Sequence, residues 1–359
     1  MTTPRIGKRD VLTTRVSRPQ ERTGAFSRSI ASPYAILIVF PTIVLGLGLF
    51  LTLTAQRALR GSNLEMAGDR MTDQVTLVAA HLRGALGQAE PMLDDLERAA
   101  RLAESSDSMT DIARTLEHAM HGRPGVSYAS ISFTDGTFQG AFVDDDGVVR
   151  FQDSRVESGS TLVRYFDYTA ENELRPRRET RNDYDPRKRD FYRLAVQAQK
   201  RVWTKPYLFY STNYTGITRA APVYVSDADG KKRLHAVLTI DFDVHELSSL
   251  LAQTELPEVR TLLFGSDGTL LAYPQGAARI AQLARPTERT LRQEDLNDPV
   301  LGSFFGALKS SSLRGTKSKE PFTIDSNGTA YLASVARVSS DPALDWRVAY
   351  LVPESAFLG

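Results

Sequence analysis

The sequence predicts an α+β chain: one membrane-crossing helix, a long second helix, then two antiparallel sheets. Three observations carry this. Pro33 to Ala55 is an uncharged, almost wholly apolar run. From Leu64 to Ala100 apolar residues recur about every 3.6 positions, the period of one face of a straight helix. From Val126 onward the pattern changes to short alternating stretches divided by Asp-Gly pairs, the mark of hairpins.

Residues 1–32 carry Arg5, Lys8, Arg9, Arg15, Arg18, Arg22 and Arg28 against only Asp10 and Glu21. They read as a disordered basic tail. The run 33–55 is long enough for a hydrocarbon core that needs about 20 residues. It exceeds a signal-peptide core, and no small-x-small cleavage site follows it. The basic tail should stay cytoplasmic. Everything after Gln56 then lies outside a single-pass span of the inner (plasma) membrane.

Residues 56–104 read as a long stalk helix. Its stripe is Leu64, Ala67, Met71, Val75, Val78, Leu82, Leu86, Ala89, Leu93, Leu96 and Ala100. Pro91 should kink this helix without ending it. A spacing of 3.6 rather than 3.5 favours packing on the chain's own domain. A homodimer along the same helix stays open.

Ser108 and Asp111 have the spacing of a capping box and open a second helix, which Gly122 and Pro124 end. His118 and His121 lie three apart on it, but no third ligand is in view, so no metal is expected. Strands follow at Val126 to Phe133, Thr137 to Val143, Val148 to Gln152 and Leu162 to Tyr168, then a long polar loop. More strands run from Thr218 to Val225 and Leu234 to Phe242, before a short helix from His245 to Gln253. A second unit repeats the hairpin theme at Arg260 to Phe264 and Thr269 to Tyr273, with a polar, variable stretch over 277–292 and a helix from Pro299 to Leu308. Three closing strands run from Pro321 to Ile324, Ala330 to Arg337 and Trp346 to Val352. Phe133-Thr-Asp-Gly-Thr and Phe264-Gly-Ser-Asp-Gly-Thr echo one another.

Composition narrows the function. The 359 residues carry a formal net charge of +1, which gives no electrostatic support for nucleic-acid binding. There are no cysteines, so disulfides, thiolate catalysis and cysteine metal sites are out. There is no Gly-x-Ser-x-Gly, no His-Glu-x-x-His and no phosphate loop, so no enzyme activity and no cofactor are expected.

The densest chemistry lies in Asp183-Tyr184-Asp185-Pro186-Arg187-Lys188-Arg189-Asp190-Phe191-Tyr192. Aromatic rings beside an arginine fork suit a pocket wall that grips a carboxylate. A solvated charged loop with aromatic anchors has the same composition. Arg189 could simply pair with Asp185 or Asp190, and Asp241 could cap the following helix.

Tyr184, Arg189, Phe191 and Tyr192 resemble the Y-x-x-x-x-R-x-W-Y signature of double Cache domains, the extracytoplasmic sensors of bacterial chemoreceptors, sensor kinases and nucleotide cyclases. Trp203 to Tyr207, Gly216 to Val223 and Leu238 to Phe242 extend the likeness. The resemblance implies two PAS-like sheets stacked along one long helix, with a membrane-distal subdomain at 105–255 and a membrane-proximal one at 256–352. It implies a small-molecule ligand, an amino acid or a related carboxylate or amine. Arg189 with Tyr184 would hold its carboxylate; Tyr192, Tyr207 and Asp241 would hold its amino group. Phe191 departs from the signature tryptophan, keeping the apolar wall but lacking the indole N–H.

Residues 353–359 resemble the start of an exit helix, after which the chain stops. A truncated sensor, or one whose output belongs to another polypeptide, would read this way. A protein-interaction module of the same fold, with no ligand, is the alternative.

Overall fold

The computed structural model describes residues 33–103, 109–144, 146–171, 173–227, 229–253, 258–283, 289–310, 320–339 and 344–357. The basic tail and Ser108 of the expected cap lie outside them. The chain forms two units, residues 1–59 and 60–359. In the first, Val39–Gln56 is the one stretch of the described residues long and apolar enough to cross a membrane.

Helix α1 runs Pro33–Gly87, α2 Ala89–Leu102 and α3 Met109–Met120. The break between α1 and α2 falls at Gln88, whose backbone stays right-handed (φ −61°, ψ −21°). Pro91 causes it. Proline has no N–H to give the carbonyl four residues back, and its ring clashes with that carbonyl; here that residue is Gly87. The expected kink therefore appears upstream of the proline, as an interruption between two helices. The apolar stripe is buried from Ala67 through Met71, Val75, Val78, Leu82, Leu86, Ala89, Leu93, Leu96 and Ala100.

The first sheet holds β1 (Tyr128–Phe133), β2 (Phe138–Val143), β3 (Val149–Glu157), β4 (Ser160–Tyr168), β5 (Leu174–Asn182), β6 (Val202–Trp203), β7 (Tyr207–Leu208), β8 (Thr215–Ser226) and β9 (Lys232–Asp243). Its order is β5-β4-β3-β2-β1-β9-β8-β6, with β7 also on β8. Helix α4 (Asp190–Ala198) precedes β6, and α5 (Val244–Ala252) follows β9. Strand β5 corrects the polar loop expected there. Its residues are mostly exposed, so no apolar alternation marks it, and its pairing with β4 at the sheet edge makes it a strand.

The second sheet, ordered β11-β10-β14-β13-β12, holds β10 (Arg260–Gly265), β11 (Leu270–Ala272), β12 (Phe322–Ser326), β13 (Thr329–Arg337) and β14 (Trp346–Pro353). Helices α6 (Ala277–Leu283), α7 (Gln293–Leu296) and α8 (Pro299–Ser310) lie between β11 and β12. The stretch expected to be variable is thus partly helical. At the end of the chain, Glu354–Phe357 forms a 3-10 turn.

The echoed turns are built alike. Asp135 Oδ1 accepts from Thr137 N (2.8 Å) and Asp267 Oδ1 from Thr269 N (3.0 Å), and each aspartate also takes the threonine hydroxyl. Gly136 (φ +95°) and Gly268 (φ +83°) occupy the left-handed position that glycine reaches without steric cost.

One core runs along the helices. Leu82, Leu93, Leu96 and Leu116 share it with Ile131, Leu238 and Phe242 of the first sheet and Leu263, Val348 and Val352 of the second. Polar ties fix the helices to each sheet. Arg83 Nε donates to the Val338 carbonyl (2.9 Å), and Glu90 receives Arg201 (2.8 Å) and Arg219 (2.8 Å). Burial raises and the two arginines lower the Glu90 carboxyl; the arginines win, and it titrates below the usual carboxylate range.

Candidate ligand-binding site

The first sheet has two covered faces, because side chains alternate along a strand. On β9, Leu238, Ile240 and Phe242 join the core with the long helices. The intervening Val237 packs beneath Phe191, Tyr192 and Ala195 of α4, and Thr239 and Asp241 of the same face line a cavity of about 630 Å³. That volume lies within the roughly 300–1,000 Å³ typical of drug-sized ligand sites. Tyr128 and Ser130 of β1 form its floor; Tyr184, Arg189, Phe191 and Tyr207 and the segment Phe209 to Thr212 wall it.

Five of the six residues singled out in the sequence line this one cavity: Tyr184, Arg189, Phe191, Tyr207 and Asp241. Tyr192 is not among the lining residues. It is buried beside Ala195, Ala220 and Val237. Consecutive helical residues point about 100° apart, so α4 turns Phe191 to the cavity and Tyr192 into the packing beneath it.

The local structure leaves Arg189 available. Asp185 is taken by Arg187 (2.9 Å), and Asp190 by Arg193 (2.6 Å). Arg189 itself donates to the Leu208 carbonyl (2.9 Å), and its guanidinium carbon stands 5.8 Å from the centre of the Tyr207 ring. Among the described residues it forms no ion pair. The cap of α5 is Asp243, which accepts from His245 N and Glu246 N (both 3.0 Å). Asp241 is therefore free of that duty.

Asp241 Oδ1 is buried with no hydrogen-bond partner. Burial pushes the Asp241 carboxyl up to about 7, the Asp243 charge adds to this, and a hydrogen bond from Thr218 and the Arg189 charge oppose it. Burial likewise pushes Asp243 to about 6. A buried carboxylate with one oxygen unpartnered and no ion pair is costly; a cation brought into the cavity would relieve that cost. Tyr207 Oη lies 2.7 Å from Thr218 Oγ1, and burial raises the Tyr207 and Tyr184 phenols above their ordinary range. Both stay neutral donors near pH 7.

The sequence reading missed the floor. Tyr128 stacks on Phe142 (5.4 Å) and its hydroxyl donates to Gln152 Oε1 (2.9 Å). Gly140 makes room for that ring: a Cβ there would fall 2.3 Å from Tyr128 Cε1. The available signal was the alternation of Tyr128, Ser130 and Ser132 with Ala129, Ile131 and Phe133, a polar face opposite an apolar one.

Residues 112–249, which carry most of this architecture, match the family model of the first PDC sensor domain of methyl-accepting chemotaxis protein-like chains. Residues 112–249 thus carry a Cache-type sensor domain. Among solved structures, the sensory domain of the Campylobacter jejuni chemoreceptor Tlp3 (CcmL) matches with a TM-score of 0.50 and 17% identity, over 84% of this chain and 98% of that one. The isoleucine-bound form of that domain gives 0.49 and 17%, over 84% and 98%. The ligand-binding domain of the Pseudomonas aeruginosa PAO1 amino acid chemoreceptor PctC, in complex with GABA, gives 0.47 and 18%, over 79% and 98%. At these identities the likeness is one of fold. A comparison with curated protein sequences found no match. The sensor domain is thus a mixed α+β fold in which a long helix backs antiparallel sheets.

Proposed function

We propose that this chain is a membrane-anchored sensor whose first-sheet cavity binds a small ligand carrying both a carboxylate and an ammonium group, an amino acid in the simplest case. One observation carries the reading. Arg189 and Asp241, opposite charges without ion-pair partners among the described residues, line the same cavity. Arg189, with Tyr184 beside it, would take the carboxylate through its planar fork. Asp241 would take the ammonium, with Tyr207 as its neutral neighbour. Phe191 supplies an apolar wall. Tlp3 with isoleucine and PctC with GABA are relatives in fold whose ligands have this chemistry.

In this reading Val39–Gln56 crosses the inner membrane once, with the amino terminus in the cytoplasm and the sheets outside. The cavity belongs to a membrane-distal subdomain, near 105–255, and the second sheet to a membrane-proximal one, near 256–352. Binding selects one of two pre-existing arrangements of the helices, which requires the ligand to prefer one of them. The chain binds and reports; it does not catalyse.

The test is a thermal-shift screen of the full chain in detergent against amino acids, amines and small carboxylates. Ligand at 100 times its dissociation constant adds about 2.7 kcal/mol of stability. A rise with an amino acid that Arg189→Ala and Asp241→Asn both abolish supports the proposal. A folded protein that no such compound stabilises overturns it, and favours a partner-binding module of the same fold.

A further inference from the structure

The cavity extends well beyond Arg189 and Asp241, and its far end has its own chemistry. Arg178, Tyr165, Gln152, Gly140, Ser130 and Thr239 are cross-strand partners in one row across β5, β4, β3, β2, β1 and β9. At about 4.8 Å per strand, the five intervals place the Arg178 and Thr239 backbones roughly 24 Å apart along the sheet. Arg178 folds back over Tyr165, its guanidinium carbon 4.2 Å from the ring centre. A compact amino acid held at Asp241 leaves this end unfilled.

What remains there to be satisfied is of donor type. Gln152, only 7% exposed, has its oxygen occupied by the Tyr128 hydroxyl (2.9 Å). Asn182 has its oxygen occupied by Tyr184 N (3.0 Å). Both amide nitrogens are without a protein acceptor among the described residues, and both side chains line the cavity. Arg178 also lines it and forms no ion pair among the described residues. Its neighbours on β5 differ: Arg175 and Arg177 reach Asp167 (both 3.4 Å) and Arg181 reaches Glu157 (2.7 Å). The nearby carboxylates Asp144 (itself a lining residue), Asp146 and Asp167 are matched in number by Arg150, Arg175 and Arg177, which pair with them, so they do not cancel Arg178.

Resting on the amino-acid reading above, we infer that the ligand is an elongated one: an amino acid extended by a tail that ends in a second carboxylate, received by Arg178 with Gln152, which flank Tyr165 in the same row. An unused amide donor and an unpaired guanidinium match the lone pairs of a carboxylate and offer nothing to a cationic tail.

Calorimetric titration of the full chain in detergent tests this with three probes: γ-L-glutamylglycine, γ-L-glutamylglycinamide and L-alanine. The first two share length and head group and differ in the tail charge. The acid should bind at least tenfold more tightly than the amide. Arg178→Met should reduce that ratio to about one, and Arg189→Ala should weaken both. If alanine binds but acid and amide bind equally, or if Arg178→Met leaves their ratio intact, the inference falls and the amino-acid reading stands. If none of the three binds to folded protein, both fall together.

Discussion

Arg189 and Asp241 face a common cavity from different elements, the segment before α4 and the end of β9, and neither is neutralised by an ion pair among the described residues. Their neighbours explain this. Arg187, Arg193 and Asp243 take up the local obligations that would otherwise have claimed them.

Arg189→Ala should weaken amino-acid binding by about 10- to 100-fold, since charge-assisted hydrogen bonds are worth about 1.5–3 kcal/mol. Arg189→Lys should recover only part of this, because it keeps the charge but lacks the fork. The fold loses the contact to the Leu208 carbonyl and a loose one over the Tyr207 ring, so the melting temperature of the free protein should move little. Calorimetry and thermal unfolding on the same samples separate the two effects.

Asp241 sets a pH dependence of opposite sign in the free and bound forms. Its folded pKa of about 7 lies above the unfolded value of about 4. Its contribution to the stability of the free protein is therefore complete below about pH 4 and lost as the pH rises to about 7. Asp243, pushed to about 6, acts in the same direction. Asp241→Asn should make the free protein more stable at pH 8 and flatten its stability profile between pH 4 and 8. Ligand affinity should instead fall as the pH drops below 7, because only the ionised carboxylate attracts an ammonium. Denaturant titrations and calorimetry across this window give both slopes.

Gly140→Ala should distort the cavity floor. Its Cβ would meet Tyr128 Cε1 at 2.3 Å, so the ring must move and its bond to Gln152 lengthen. Overpacking of this kind costs about 1–3 kcal/mol. Urea unfolding should show that loss, with ligand affinity weakened alongside it.

Glu90 couples α2 to the first sheet through Arg201 and Arg219. The arginines are largely covered while Glu90 is partly exposed, so Glu90→Gln should cost about 1 kcal/mol, at the upper end for surface pairs. Leu96→Ala, in the same helix and fully buried, should cost about 2–5 kcal/mol. A urea series on the two variants compares the two kinds of anchor directly.

Much of the molecule is legible in residue order because the deciding interactions are local or periodic. The span at Val39–Gln56, the buried face from Ala67 to Ala100 and the Asp-Gly turns at Gly136 and Gly268 follow from hydropathy, helical period and left-handed backbone preference. Strand β5 was not legible: Leu174–Asn182 is held by hydrogen bonds to β4, and edge pairing leaves no trace in the pattern of an exposed, arginine-rich segment. The position of the helix break was implicit in Pro91, but it falls at Gln88, beside the Gly87 carbonyl to which the proline cannot donate.

Residue order alone names the chemical groups that could serve a pocket: an arginine fork at 189, aromatic rings at 184, 191, 192 and 207, and a carboxylate at 241. Which of them meet depends on the folded chain. Residues 52 positions apart, such as Arg189 and Asp241, come together through strand order and loop placement, which no local signal encodes. The same reason excludes Tyr192 from the lining, since the rotation of α4 on the sheet is set by packing against Ala220 and Val237. It also brings in Tyr128, Gln152 and Arg178, three residues from three different strands, because cross-strand register places them in neighbouring rows on one face.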